Sequence, residues 1–470
     1  MAERRRVFLT GGTGAWGRRV LEQLRATDLD VTALVLPTER DREVVRDLAW
    51  PALRVVEGDL TDYAVVERCV ADADVVLHVG AVVSPLADAR PDLARAVNVG
   101  AIRNIVRAVS ALPDPRAVSV VGVGSVAETG NRNPPVHWGR VGDPIRVSHF
   151  DEYGQTKVEA ERILVDSGLP RWTWLRQTGI FHPAMLQIRD PIMTHSPFGG
   201  VMEWVSAEDA ARLLVSLCDP AVPDDVWGDV WNIGGGEGWR LTNWQLQTAI
   251  GGALGVKDIR RWYDRNWFAT QNFHGQWYVD SDALHERVPF RQDTFADALR
   301  RARAAQPAVV RSAGRVPAWL VRRFVMQPLT RQPRGTMAYL AADDEEGIRA
   351  FFGSREQWRA IGDWSTFEVP EPSRTPTTLD HGYDESRTPD EWDRGDLAGA
   401  ADFRGGELLS PAPVAARHLA QWRCAEGHVF AASPFLVLRA GHWCPVCVRD
   451  SGRYREQAER NPFLAQIELA

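Results

Sequence analysis

In Tyr153-Gly154-Gln155-Thr156-Lys157 the phenol and the ammonium are four residues apart, the spacing that puts two side chains on one face of a helix. A phenol can exchange a proton with a substrate oxygen, and a neighbouring ammonium lowers its pKa. The lysine is conspicuous because the chain holds 55 basic residues and only Lys157 and Lys257 are lysines. Where a generic cation suffices, this sequence uses arginine, so Lys157 points to a need for a compact ammonium. A Tyr-x-x-x-Lys pattern alone recurs by chance, and its surroundings must decide.

Two further constellations carry chemistry. In Thr10-Gly11-Gly12-Thr13-Gly14-Ala15-Trp16-Gly17 the glycines stand where a strand passes into a helix. Gly11 would permit the tight turn, Gly14 would let backbone amides approach a pyrophosphate, and Gly17 would let the helix pack on the strand. Thr13, Ala15 and Trp16 belong to the same expected cradle. Near the other end, Cys424-Ala-Glu-Gly-His428 and Cys444-Pro445-Val446-Cys447 have metal-ligand spacing. Three thiolates and an imidazole satisfy tetrahedral zinc and leave no open position, which makes the expected site structural. His442 is the neighbouring alternative ligand.

These groups need elements to hold them. Apolar runs at Val7–Leu9, Val31–Leu36, Leu53–Glu57, Asp74–Val79, Ala117–Val123 and Trp172–Leu175 read as strands. They alternate with amphipathic segments, among them a helix over about 91–111 and one bearing Tyr153 and Lys157. The pattern predicts an α/β fold, a doubly wound parallel sheet of Rossmann type with its ligand at the strand carboxyl ends. Residues 1–302 form the expected dinucleotide-binding domain, with substrate-binding parts at about 180–225 and 240–302. Residues 303–410 read as a helical and irregular connector, and 411–470 as a zinc-ribbon-like module with a tail. Leu379–Asp384 is too distinctive for a loose linker, with no role evident from sequence.

Bulk properties narrow the class. The 470 residues are 44% hydrophobic and 25% charged, with a net charge of −7, which argues against nucleic acid as the main partner. No apolar run is long enough to span a bilayer and none resembles a signal peptide, so no membrane partner is expected and the expected location is cytoplasmic. Five cysteines are too few for a disulfide framework, and Cys69 and Cys218 read as core residues.

Taken in order over about residues 5–300, the motifs resemble the extended short-chain dehydrogenase/reductases, the NAD-dependent epimerase/dehydratase family. The landmarks are the Gly11–Gly17 turn, Gly58-Asp59-Leu60, His78-Val79-Gly80-Ala81, Asn98-Val99-Gly100, Gly124-Ser125, Tyr153-x-x-x-Lys157, Arg176-Gln177-Thr178-Gly179 and Trp231-Asn232-Ile233-Gly234-Gly235-Gly236. The resemblance implies that Asp59, with Leu60, contacts the adenine and that Gly80 and Ala81 line the ribose-phosphate path. Asn98 sits behind the site in a structural or catalytic role. Tyr153 becomes the general acid/base, Lys157 its pKa-lowering and ribose-binding partner, and Ser125 the group that holds the substrate oxygen. Dimerisation through two helices is also implied.

Departures from the family pattern narrow the reaction. Val126-Ala127 stand where sugar 4,6-dehydratases carry Asp-Glu, and Thr129 and Gln177 replace the usual Tyr and Pro. Glu128 reads as a substrate contact or a loop carboxylate. Trp138, His149, Phe181, His182, His195, Phe198 and Trp204 suggest a partly apolar pocket. Leu36 replaces the acid that would favour NAD, and Arg18 and Arg40 could meet a 2′-phosphate, so the balance tilts from NAD toward NADP. The expectation is an NAD(P)(H)-dependent oxidoreductase acting on a small, partly apolar molecule. An epimerase working through a transient ketone is one alternative, and a non-catalytic NAD(P)-sensing regulator with a zinc-module partner is another.

Overall fold

The computed structural model describes residues 4–187, 190–411 and 414–469. Met1–Glu3 and Ala470, part of the terminal readings above, lie outside the described residues. Seven parallel strands form the central sheet: β1 (Arg6–Thr10), β2 (Asp30–Val35), β3 (Arg54–Glu57), β4 (Val75–His78), β5 (Ser119–Ser125), β6 (Trp172–Gln177) and β7 (Asp229–Ile233). Their spatial order is 3-2-1-4-5-6-7. The order reverses beside β1, and the crevice for a dinucleotide opens there at the carboxyl ends of β1 and β4. The six strands expected from sequence are all present. The seventh is the strand that carries Trp231-Asn232-Ile233.

Alternation along β1 explains the layers. Val7 and Leu9 face one side and Phe8 the other, and all three are buried. Val7 and Leu9 join α1 (Ala15–Leu24) and α6 (Ala207–Ser216) in one apolar cluster. Phe8 joins α3 (Tyr63–Ala71), α4 (Gly100–Ser110) and α5 (Glu152–Val165) in another. Helix α2 (Glu39–Leu48) follows β2. The expected helix over 91–111 is interrupted: Pro91–Ala94 and α4 flank a π turn at Arg95–Val99. That turn carries Asn98.

A second body of structure sits over the crevice. Short strands pair Ile180–Phe181 with Val205–Ser206, and Val201–Glu203 with Arg240–Thr242. Helices α7 (Asn243–Ala253) and α8 (Phe295–Ala304) pack beside them. A continuous helical stretch over 318–330 buries Val321, Met326 and Leu329 in the same cluster as Leu246 and Ile250 of α7.

The C-terminal module comprises α9 (Arg394–Phe403), a three-stranded antiparallel sheet, β8 (Glu407–Leu408), β9 (Ala420–Arg423) and β10 (Val429–Ala432), and two helices, α10 (Tyr454–Ala458) and α11 (Pro462–Glu468). Its Trp422, Phe435 and Leu436–Leu438 are buried in the cluster that contains Phe8, Leu164 and Trp172. The apolar core therefore runs without a break from the sheet into the module. Leu379–Asp384 has a role here. His381 is buried and shares Asp143 with Arg132, at 3.0 and 3.1 Å, so this segment latches the connector onto the loop after β5.

Among the described residues, no helix is long and apolar enough to cross a membrane.

Candidate active site and metal centre

The glycine turn fits a dinucleotide. Gly11 has φ +74°, and a Cβ there would lie 2.6 Å from Gly80 Cα, so only glycine suits both conformation and space. A Cβ on Gly17 would meet the Gly11 carbonyl oxygen at 2.0 Å. No side chain caps the start of α1 and no acid stands in its first turn, which leaves its amides and dipole to an anion. Behind the turn, Thr10 Oγ1 accepts from Gly80 N at 3.0 Å and contacts His78 Nδ1 at 2.9 Å. Burial pushes His78 down to about 3, with the Lys157 charge adding to the effect. The imidazole is therefore neutral and serves as a fixed strut.

The other expected cofactor residues divide by surroundings. Asp59 Oδ1 accepts from Thr61 N at 2.8 Å and so ties down the loop that carries Leu60. Arg18 Nε donates to Glu22 at 3.2 Å, so a 2′-phosphate there would compete with that carboxylate. Arg40 is exposed, with no ion-pair partner among the described residues, and Leu36 is 46% exposed at the end of β2. Asn98 brackets the backbone of Val82, accepting from its N at 2.7 Å and donating to its O at 2.9 Å. It also donates to Thr156 at 2.9 Å. These bonds use Asn98 as a clamp between the loop carrying Gly80 and Ala81 and helix α5.

Ser125 ends β5 opposite Gln177, and Tyr153 and Lys157 rise from the first turns of α5. Asp151 caps that helix by accepting from Gly154 N at 2.8 Å. Burial drives the Tyr153 phenol above its ordinary value, and the neighbouring Ser125 hydroxyl only partly opposes this. Lys157 Nζ donates to the Val123 carbonyl at 2.7 Å and stands 5.8 Å from the Tyr153 ring centroid. The expected lowering of the phenol by Lys157 is therefore not realised in this geometry, because the ammonium is turned to the strand carbonyl. Burial pulls Lys157 down to about 8, partly opposed by Glu128.

Glu128 differs from both readings given to it. It is fully buried, and its Oε1 accepts from Ser125 N at 2.6 Å. Behind it lies a network that sequence reasoning missed. Arg176 forks onto Glu161 at 3.0 and 2.6 Å and donates to the Ala440 carbonyl at 2.6 Å, and His442 Nε2 meets Glu161 Oε1 at 2.9 Å. Burial, then repulsion from Glu161, raises Glu128 well above the carboxylate range, while Arg176 holds Glu161 below it despite burial. The sequence did carry a signal: Glu161 continues the four-residue stride of Tyr153 and Lys157 along α5.

Beside Ser125, Val126 packs with Met202, Trp204 and Phe273. Those three line a cavity of about 420 Å³, together with Ile180, His182, Met185, Met193, Leu246 and Ile250. Among the described residues, no arginine or lysine is in its wall. Its polar side chains are largely engaged, since Asn243 donates to Ser196 O at 2.8 Å and accepts from Gln247 at 3.3 Å. Of the seven residues expected here, only His182 and Trp204 line the cavity. Trp138, Phe181 and Phe198 are core residues, and His195 binds the Arg334 carbonyl at 2.6 Å. His149 bonds Ser451 at 3.0 Å.

The four expected metal ligands converge, with ligand atoms all within 4.8 Å of one another. Cys424 Sγ lies 3.7 Å from Cys447 Sγ, and His428 Nδ1 lies 3.4, 3.6 and 3.4 Å from Cys424, Cys444 and Cys447. Bonds of about 2.3 Å to a tetrahedral zinc set sulfurs about 3.8 Å apart, so the donor set fits zinc. His442 belongs to the Glu161 network and not to this cluster.

Residues 11–220 match the family model described as NAD(P)H-binding. Over this stretch, a little under half of the chain, the protein is similar to NAD(P)H-binding domains. Among curated relatives, a D-erythronate dehydrogenase from Cupriavidus necator is 34% identical over 167 residues, 34% of this chain and 49% of that protein. A 4-hydroxy-2-methyl-3-oxo-4-farnesyl-3,4-dihydroquinoline-1-oxide ketoreductase from Stigmatella aurantiaca is 28% identical over 226 residues, 46% of this chain and 61% of its own. Human 3 beta-hydroxysteroid dehydrogenase type 7 is 26% identical over 193 residues, 39% of this chain and 52% of that protein. The chain thus spans about half the length of the curated relatives it matches.

Two solved structures give a TM-score of 0.50. One is a dTDP-glucose 4,6-dehydratase double mutant from Streptomyces venezuelae with NAD and DAU bound, 20% identical, covering 63% of this chain and 95% of that one. The other is a Thermus thermophilus UDP-glucose 4-epimerase with NAD, 18% identical, covering 64% and 98%. At these identities the likeness is one of fold, and the fold is the Rossmann type that the motifs implied.

Proposed function

We propose that the protein is an NAD(P)(H)-dependent oxidoreductase that interconverts a carbonyl and an alcohol on a predominantly apolar substrate. The observation that carries this reading is the placement of Ser125, whose neighbour Val126 packs on Met202, beside a methionine-walled cavity with no cation among its described lining residues. Three of the six methionines in the chain line that cavity. Their flexible thioethers suit a bulky carbon skeleton. Among the described lining residues Asp190 is the one acid, and it would repel a diphosphate. A sugar nucleotide meets no counter-charge among those residues, whereas the substrates named for the farnesyl-quinoline ketoreductase and the steroid dehydrogenase are of the apolar kind the cavity suits.

The nicotinamide, when bound, supplies or accepts the hydride. Ser125 Oγ would hold the substrate oxygen, and Tyr153 would pass its proton to that oxygen on reduction and take it back on oxidation. The raised phenol pKa keeps that proton in place at neutral pH. Lys157, freed from the Val123 carbonyl, would bind the nicotinamide ribose hydroxyls. Dehydration finds no support, because Val126 and Ala127 hold no acid or base and Glu128 points into the protein. Exposed Arg40 beside Leu36 favours NADP over NAD. The proposed division of labour keeps this chemistry within 1–302, with structural zinc in 411–470 and 303–410 joining the two.

The test is a fluorescence titration of the purified protein with NADPH and NADH, followed by a screen of apolar ketones for loss of nicotinamide absorbance. Saturable NADPH binding and ketone-dependent oxidation are expected. Tyr153→Phe should cut kcat by about 10²–10⁴-fold and leave cofactor binding intact. A variant that keeps full turnover would sink the assignment, and binding without any turnover would favour the sensor.

A further inference from the structure

The segment 298–342 contrasts with the rest of this acidic chain. It holds nine arginines and no aspartate or glutamate, within a protein of net charge −7. Carboxylates outside the segment neutralise some of them: Arg300 meets Asp297, Arg301 meets Asp293, Arg322 meets Asp264 and Arg334 meets Asp88. Arg311, Arg315, Arg323 and Arg331 are exposed and have no carboxylate partner among the described residues. Arg303, Arg311 and Arg315 line one cleft of about 410 Å³ with Ser312, Gly255 and Gly314, and no acid enters its wall.

Apolar side chains are exposed in the same stretch of chain, 309–325. Val309 is 77% exposed, Trp319 65% and Phe324 68%, with Val316 and Val325 also out in solvent. The helical stretch over 318–330 is nevertheless firmly seated, since Val321, Met326 and Leu329 are buried against Leu246 and Ile250. The exposed face is thus presented by a fixed support. Leu246 and Ile250 also wall the substrate cavity on their other side.

We propose that the outward face of residues 308–331 docks on a membrane of anionic phospholipid. Arginines with aromatic and aliphatic side chains on one face are the composition of a surface that lies in the headgroup layer without crossing it. The three-arginine cleft receives a headgroup phosphate, and Trp319 and Phe324 enter the acyl boundary. A second copy of this chain would bring the same positive face against itself, and a nucleic acid would leave the exposed valines and Phe324 without apolar contact. The absence of a spanning helix is compatible with this mode, which needs none. The surface stands independently of the reaction proposed above, although an apolar substrate dissolved in the membrane would reach the adjoining cavity by a short path.

Flotation of the full-length protein with phosphatidylcholine vesicles, with and without phosphatidylglycerol, tests the idea. Binding to the anionic vesicles alone, weakening as salt rises, is expected. Arg311→Gln with Arg315→Gln should lower the partition on the order of 30-fold, and Trp319→Ala with Phe324→Ala about tenfold. Both pairs lie on the surface, so thermal stability and cofactor binding should stay at the parent's values. Failure of the folded parent to bind anionic vesicles at low salt would overturn the proposal, and so would binding that neither pair alters. A dimer in solution that Trp319→Ala with Phe324→Ala dissociates, without vesicle binding, would assign the face to a second copy. If inorganic phosphate at matched ionic strength abolishes vesicle binding while the aromatic pair does not, the cleft is a free-anion site and no membrane surface.

Discussion

Helix α5 has a polar group on each side, and the two are treated differently. Toward the crevice, Ser125, Tyr153 and Lys157 are lightly held, with Lys157 making one hydrogen bond, to Val123 O. Toward the C-terminal module, Arg176 alone makes three bonds, two to Glu161 and one to Ala440. Further bonds fix the helix from behind: Gln155 to Val448 O at 2.9 Å, Arg162 to Trp443 O at 3.0 Å and Ser433 to Asp166 at 2.6 Å. The difference teaches how such a site is divided. Groups meant to meet a cofactor and substrate keep donors in reserve, while the groups that position them are tied by several bonds each, because an unpaired buried charge is costly.

The contrast can be broken first on the tightly bonded side. Arg176→Met leaves Glu161 buried without its counter-charge and should cost about 3–5 kcal/mol of stability, read by urea denaturation. A loss within error would mean that the network carries little weight. Cys444→Ser, or chelation of the parent, should lower the melting temperature and loosen α5, so that kcat falls along with metal content measured by mass spectrometry. A metal-free protein with unchanged melting temperature and turnover would separate the module from the site.

The lightly held side is sharpened by pH. The Lys157 pKa is lowered to about 8, so the ammonium is lost as pH rises through 8. The cofactor-binding limb of the pH profile should fall there. The unfolded chain keeps that proton until about 10.5, so this group makes folding more favourable as pH rises from 8 toward 10.5. Lys157→Met should remove both dependences, and a profile flat through pH 8 in the parent would contradict the assignment. The smallest effect is expected at Arg40, where Arg40→Ala should weaken NADPH about tenfold and leave NADH unchanged. Equal weakening of both would place Arg40 away from the 2′-phosphate.

The fold was legible in the sequence because a parallel sheet covered on both faces needs continuous apolar strands, and Val7–Leu9, Asp74–Val79 and Ala117–Val123 are such runs. The glycine turn and the four metal ligands were legible for a similar reason, since each is a local spacing with a single geometric use. The pocket was less so. Trp138, Phe198 and His195 are apolar or aromatic in the right stretch of chain, but composition does not say which face of a loop looks into a cavity. Arg18 looked available and is held by Glu22, one helical turn along.

By itself, the amino-acid sequence determined the elements, the dinucleotide turn, the Tyr153–Lys157 pair on one helical face and the Cys/His set, all of which depend on neighbours in the chain. Only the tertiary structure decided that Glu128 is buried against Ser125 N and that Lys157 is turned onto Val123. It also decided that His442 supports Glu161 in place of a metal, and that a methionine-walled cavity adjoins Ser125 through Val126. Those facts depend on groups far apart in the chain, as with Glu161 against His442, 281 residues on, and Val126 against Met202. Burial and counter-charge, which set protonation and contact, exist only once the chain has packed.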